Sequence, residues 1–121
     1  MKAWVLKDMI NYDAEKRVRT ALVKSGGLAI EMVCYEPGQH TVTHHHPRQD
    51  EVFYIVEGKG TFTVGEERIA VEPSSVIFVA AHEPHGIVAD ADSRLVVLFA
   101  KGPGARFFDT PLNDAIAADG A

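Results

Sequence analysis

Four of the chain's six histidines, His40, His44, His45 and His46, fall within seven positions, and a carboxylate, Glu51, follows five residues later. Imidazole and carboxylate are the side chains that iron, manganese, nickel and zinc take as ligands in their divalent states. Residues two apart in a strand point to the same side, so His44 and His46 share one face and His45 takes the other. A turn around Pro47 and Arg48 lets the next strand return antiparallel, with Glu51 on the face of His44 and His46. Two imidazoles and a carboxylate on one face hold a metal and leave coordination positions open. The run is internal, which separates it from a purification tag. A second pair, His82 and His85, follows the apolar run Val76-Ile77-Phe78-Val79 and offers a further ligand from a distant strand.

Short β-rich runs must position these groups. They read as Val18 to Val23, Leu28 to Tyr35, His40 to His46, Glu51 to Val56, Gly60 to Val64, Glu67 to Val71, Val76 to Val79, His85 to Val88 and Leu95 to Ala100. Gly, Pro and Ser clusters separate them: Ser25-Gly26-Gly27, Pro37-Gly38, Gly58-Lys59-Gly60, Val64-Gly65-Glu66 and Glu72-Pro73-Ser74-Ser75. Regularly spaced strands with such punctuation predict an all-β sandwich or barrel. No internal repeat is present. Lys101-Gly102-Pro103-Gly104 reads as a linker into a tail, with one or two helical turns at Pro111 to Ala118.

On these residues the chain resembles the cupins. Their first motif, G-x5-H-x-H-x3–4-E-x6-G, is met by Gly38, His44, His46, Glu51 and Gly58, with four residues in the variable gap. In the second, G-x5-P-x-G-x2-H-x3-N, Ser74 and His82 stand at the two glycines, Ala80 at the proline and Ala89 at the asparagine, and His85 alone is kept. The resemblance spans about residues 26–100 of a single domain covering 1–121. It implies a double-stranded β-helix, a closed jelly-roll barrel. It also implies that His44, His46, Glu51 and His85 hold one divalent transition metal, Fe, Mn, Ni or Zn.

Alternation then assigns facings. With His44 and His46 inward, His40 and Val42 also point in; with Glu51 inward, so do Phe53 and Ile55, leaving Tyr54 outside; with His85 inward, so does Ile87. Val42, Phe53, Ile55 and Ile87 thus line an apolar pocket around the metal. Asp50 and Gln49 flank Glu51 and are alternative ligands if the turn is one residue shorter. His40 and His45 read as supporting or surface groups, and His82 as a rim residue. Arg17 and Arg19 read as a solvated strand face, with a guanidinium for an anionic substrate as the alternative.

Composition narrows the function classes. A chain of 121 residues with 46% hydrophobic and 24% charged residues is ordinary for a soluble domain. A net charge of −5 without a basic run argues against a nucleic-acid partner. Cys34 is the only cysteine, so no intrachain disulfide forms. The opening Met1-Lys2-Ala3-Trp4-Val5-Leu6-Lys7-Asp8 lacks the apolar core of a signal peptide, and no run is long enough to span a bilayer. A cytoplasmic protein without a membrane partner is expected.

A partly neutralised divalent ion with open positions suits dioxygen activation, carbonyl polarisation or hydration. No Lys, Tyr or second carboxylate is placed beside the metal as a general base, and dioxygen activation asks least of the protein beyond the metal and an apolar cavity. The expectation is therefore a metal-dependent oxidoreductase of the dioxygenase or oxygenase type on a small oxygen-bearing molecule. The alternatives are a non-catalytic metal or small-ligand binding module and a cupin isomerase. The Phe107-Phe108 pair offers an apolar contact for a homodimer.

Overall fold

Alternation of apolar and polar residues, interrupted at Gly and Pro, folds the chain into nine strands: β1 (Val18–Lys24), β2 (Ala29–Tyr35), β3 (His40–His44), β4 (Asp50–Gly58), β5 (Gly60–Val64), β6 (Glu67–Val71), β7 (Val76–Val79), β8 (His85–Ala89) and β9 (Leu95–Gly102). The computed structural model describes residues 1–104; the tail features read at Phe107, Phe108 and 111–118 lie outside the described residues. Two antiparallel sheets result, β1-β2-β9-β4-β7 and β3-β8-β5-β6. β9 runs on through Lys101 and Gly102 as a paired strand, where the sequence suggested a linker, because Asp50 and Glu51 extend the ladder on β4.

The two inner faces enclose one core of Val33, Tyr35, Phe53, Ile55, Phe62, Val71, Ile77, Val79, Ile87, Ala89, Leu95, Val97 and Phe99. This is the interleaved packing of a jelly roll, with alternate residues buried along β4 and β7. Part of the outer face of the five-stranded sheet is covered as well. Leu6, Met9, Ile10 and Tyr12 from the opening segment pack over Met32, Cys34 and Val96. Asp13 and Gln39 tie that segment down, the Gln39 amide donating to the Asp13 carbonyl at 2.8 Å.

Two local irregularities govern the site. β3 carries one extra residue between Thr41 and His44 relative to Ile87 and His85 on β8, a bulge that resets which residues point inward. The five residues between β3 and β4 carry the chain from one sheet to the other, so β4 does not pair with β3. The sequence suggested a hairpin return at Pro47-Arg48; instead Glu51 arrives from the opposite wall of the barrel.

Candidate metal centre

The bulge turns His44 inward, directly opposite His85 in the β3–β8 register. His46 follows in the crossing segment and is buried, and its carbonyl accepts from the His82 N–H at 2.9 Å. Glu51, second in β4, sits between Val79 and Lys101 on its neighbouring strands. His44, His46, Glu51 and His85 thereby bring four ligand atoms within 4.8 Å of one another. His46, Glu51 and His85 are all but inaccessible to solvent.

Hydrogen bonding orients the rings. His44 Nδ1 lies 2.8 Å from the Val42 carbonyl and His85 Nδ1 lies 3.0 Å from the Glu83 carbonyl. A carbonyl only accepts, so each Nδ1 carries the proton and each Nε2 presents a lone pair. His46 Nε2 and His85 Nε2 approach Glu51 Oε1 at 3.0 and 3.1 Å. Among the described residues, His44 Nε2, both ring nitrogens of His46 and both Glu51 oxygens are buried without a hydrogen-bond partner. Lone pairs converging on one buried point suit a cation between them, either a metal ion or a proton shared between an imidazole and Glu51. The residues therefore fit a divalent metal, and backbone carbonyls behind two of the rings fix the tautomer that ligation needs.

Protonation follows the same logic. Burial lowers the His44 pKa, and the nearby His85 and His46 rings add to the effect while the Val42 bond and the Glu51 charge oppose it. Burial alone would raise Glu51, but in the metal-free protein hydrogen bonds and positive charge from His46 and His85, when these rings carry a proton on Nε2, outweigh it and bring its pKa down to about 2. A neutral imidazole and an ionised carboxylate are the ligating forms.

Phe53, Ile55 and Ile87 face inward as their alternation requires. Phe53 lies nearest the site, its ring centroid 5.5 Å from that of His85. Val42 does not line the pocket: it is 66% exposed, and His40 is exposed beside it, because the bulge puts Thr41 inside instead. His40 and Val42 border a shallow depression on the outer face of the second sheet with Thr61, Thr63 and Val88. Asp50 and Gln49 are not brought to the cluster. Asp50 is exposed and accepts from the Ala81 N–H at 2.9 Å, while the Gln49 amide donates to the Pro103 carbonyl at 2.7 Å. Exposed His45 faces away from the cluster.

The interior also holds residues that the sequence reading left out. Phe62 lies parallel to the His85 ring at 6.3 Å, and with Phe53 and Phe99 it forms an aromatic floor; alternation along Gly60 to Val64 was the available signal. Lys101 is buried, its Nζ 5.5 Å from the Phe99 ring centroid. Burial lowers its pKa, against the pull of the Glu51 and Glu31 charges. Arg19 is not on a solvated face: it pairs with buried Glu31 at 3.0 Å. Tyr35 shares a 2.8 Å hydrogen bond with Thr41, and burial pushes its pKa up to about 12.

A family model described as the cupin domain matches residues 31–101, and the chain belongs to that family. Uncharacterized protein MJ1618 of Methanocaldococcus jannaschii is 26% identical over 108 residues, covering 89% of this chain and 80% of the relative. The crystal structure of TT1209 from Thermus thermophilus superposes with a TM-score of 0.79 at 29% identity, covering 84% of this chain and 96% of the other. A Klebsiella pneumoniae protein with a double-stranded β-helix domain reaches the same TM-score at 12% identity, covering 86% and 91% of the two chains, a likeness of fold alone. This is a cupin with a possible three-histidine, one-glutamate metal site.

Proposed function

We propose that this cupin is a metal-dependent enzyme of the oxygenase type, acting on a small oxygen-bearing organic molecule. One observation carries the reading: four donor atoms, three of them on fully buried residues, converge within 4.8 Å, and the lone pairs of His44, His46 and Glu51 find no hydrogen-bond donor among the described residues. Held there, a divalent transition metal with open positions would supply a place for dioxygen and a substrate oxygen to meet. His44 keeps its Nε2 lone pair because its Nδ1 proton is committed to the Val42 carbonyl, and the Glu83 carbonyl orients the His85 ring in the same way. Glu51 stays ionised at neutral pH. Phe53, Phe62 and Phe99 exclude water from the floor and offer no competing polar group. The fold itself selects no reaction, so the proposal rests on donors and floor.

Elemental analysis of untagged protein, beside a His46→Ala variant, tests it. Near-stoichiometric Fe, Mn or Ni that disappears in the variant, with oxygen consumption on small enols, diketones or catechols, is the expected result. Stoichiometric Zn without oxygen consumption would redirect the assignment to isomerase chemistry. Failure to bind any divalent ion would overturn the metal reading altogether.

We also propose a cytoplasmic homodimer. A single buried thiol, Cys34, suits a reducing compartment, and among the described residues no helix is long and apolar enough to cross a membrane. On the outer face of the first sheet Val52 pairs with Phe78 and Tyr54 with Val76, all four exposed. An apolar surface on an edge strand supports pairing with a second copy.

A further inference from the structure

We propose that Ile69 is a specificity-determining residue of this centre, receiving an apolar substituent of the organic ligand; the inference rests on the metal-site reading above. Strand register places the residue. Across β8, β5 and β6, His85 stands opposite Val64 and Val64 opposite Glu67. Two residues further along, Ile87 stands opposite Phe62 and Phe62 opposite Ile69. Residues directly opposite one another share a face of the sheet, and His85, Ile87 and Phe62 are buried in the interior. Val64, Glu67 and Ile69 therefore lie on the inner face as well. Alternation along β6 agrees, since Val71, two residues after Ile69, is a buried member of the core.

Exposure sets Ile69 apart from its neighbours on that face. Phe62, Val71, Ile77, Val79 and Ile87 are at most 7% exposed, whereas Ile69 is 45% exposed among the described residues. Val52, Tyr54, Val76 and Phe78 are exposed because they point outward; Ile69 points the same way as Phe62. The topology gives the reason. β6 and β7 are edge strands of different sheets, and the interior opens to water along the seam where they end. The metal ligands are close to this seam. β7 pairs Val79 with Glu51, and β8, which carries His85, is two strands from β6. With strands about 4.8 Å apart and a rise of about 3.4 Å per residue, the Cα atoms of His85 and Ile69 are separated by roughly 12 Å. Phe62 stands between them, its ring parallel to that of His85. A ligand chelating the metal through two oxygens would carry its remaining bulk along Phe62, and a ring-sized substituent reaches Ile69. Covering an open isoleucine beside an aromatic ring is favourable in proportion to the apolar area removed from water. Exposed Glu67, at the end of the outer row, limits that apolar stretch.

Acetylacetonate and benzoylacetonate separate this role from metal binding. They present the same two chelating oxygens, but benzoylacetonate has a phenyl ring where acetylacetonate has a methyl group. The full chain is loaded with Co(II), whose visible spectrum reports ligand binding, and titrated with each. Relative to their affinities for free Co(II), benzoylacetonate is expected to bind the original protein about tenfold or more tighter than acetylacetonate. Ile69→Thr and Ile69→Val both keep the β-branched shape that suits a strand and differ from each other by a hydroxyl in place of a methyl. Ile69→Thr should weaken benzoylacetonate binding about fivefold or more and Ile69→Val less than about threefold. Acetylacetonate binding and Co(II) affinity should stay within about twofold in both variants, which a general disturbance of the barrel would not allow. Equal binding of the two chelates by the original protein, unchanged benzoylacetonate binding in Ile69→Thr, or equal weakening of both chelates would overturn the proposal while leaving the metal site intact. Absence of Co(II) binding in the original protein would remove the metal reading and this inference with it.

Discussion

His45 and His46 are adjacent and chemically identical, yet only His46 is buried beside Glu51, while His45 is exposed. Replacing His46 by Ala is expected to weaken divalent-metal binding by more than about a hundredfold, since a lost ligand costs at least as much as a lost supporting partner. His45→Ala should change it less than about twofold, with competition against a chelating dye as the measurement. Equal losses would show that the exposed ring ligates. The same residues set the acid response of the metal-free protein. Glu51 has a folded pKa of about 2 against an ordinary 4.5, and His44 lies below its ordinary 6.5. The unfolded chain therefore takes up these protons first as pH falls, and stability declines with it. The contribution of His44 is complete above pH 6.5 and is lost as pH falls below that value; that of Glu51 is complete above 4.5 and is lost as pH falls toward 2. Urea midpoints should hold steady above about pH 7 and decline through these two windows; a midpoint independent of pH between about 7 and 3 would contradict the assignment. Saturating metal should oppose the first decline, adding about 2.7 kcal/mol when free metal is about a hundred times its Kd.

At the scale of elements, the motif glycines and their replacements report one backbone requirement. Gly38 and Gly58 have φ of 78° and 85°, while Ser74 and His82, which stand where the family motif has glycine, have φ of 75° and 73°. The left-handed turns persist although two of the residues carry a side chain, at a cost of about 1–2 kcal/mol each. Ser74→Gly and His82→Gly should therefore raise stability by up to about 1 kcal/mol, once the extra chain entropy of glycine is subtracted. Gly58→Ala should do the opposite and cost more than about 2 kcal/mol, because its Cβ would meet the Arg94 carbonyl as well as the unfavourable φ. Thermal unfolding of the three variants decides both signs, and a destabilised His82→Gly would mean the ring itself holds the loop. Much of this architecture was legible from the chain: Gly60–Val64, Glu67–Val71 and Val76–Val79 have the bounds that alternation predicts. The facing of His40 and Val42 was not, because the bulge between Thr41 and His44 is an insertion relative to β8 and leaves no mark within β3. Lys101 was missed for a related reason. Gly102 and Pro103 signal a break, while pairing to Asp50 and Glu51, a long-range event, carries β9 to Gly102.

The whole molecule separates its two apolar surfaces by strand alternation. On β7, Ile77 and Val79 enter the core while Val76 and Phe78 remain 64% and 61% exposed. The opening segment covers the sheet over β2 and β9 through Leu6, Met9 and Ile10, but Val52, Tyr54, Val76 and Phe78 stay exposed. A second copy related by a two-fold axis would set this patch against itself, and β7, at the edge of its sheet, leaves backbone groups to pair with the same strand of the partner. A stable interface needs about 800 Å² from each protomer, so the four side chains are its centre and not its full extent. Sedimentation equilibrium at micromolar concentration should show a dimer, and Phe78→Asp should shift it to monomer. Because Phe78 points away from the barrel interior, the variant should keep its metal affinity within about twofold. A monomeric wild type would remove the dimer proposal and leave the metal centre untouched. A monomeric variant that also loses metal would instead mean that assembly supports the barrel wall, since Val79, one residue on, lies opposite Glu51.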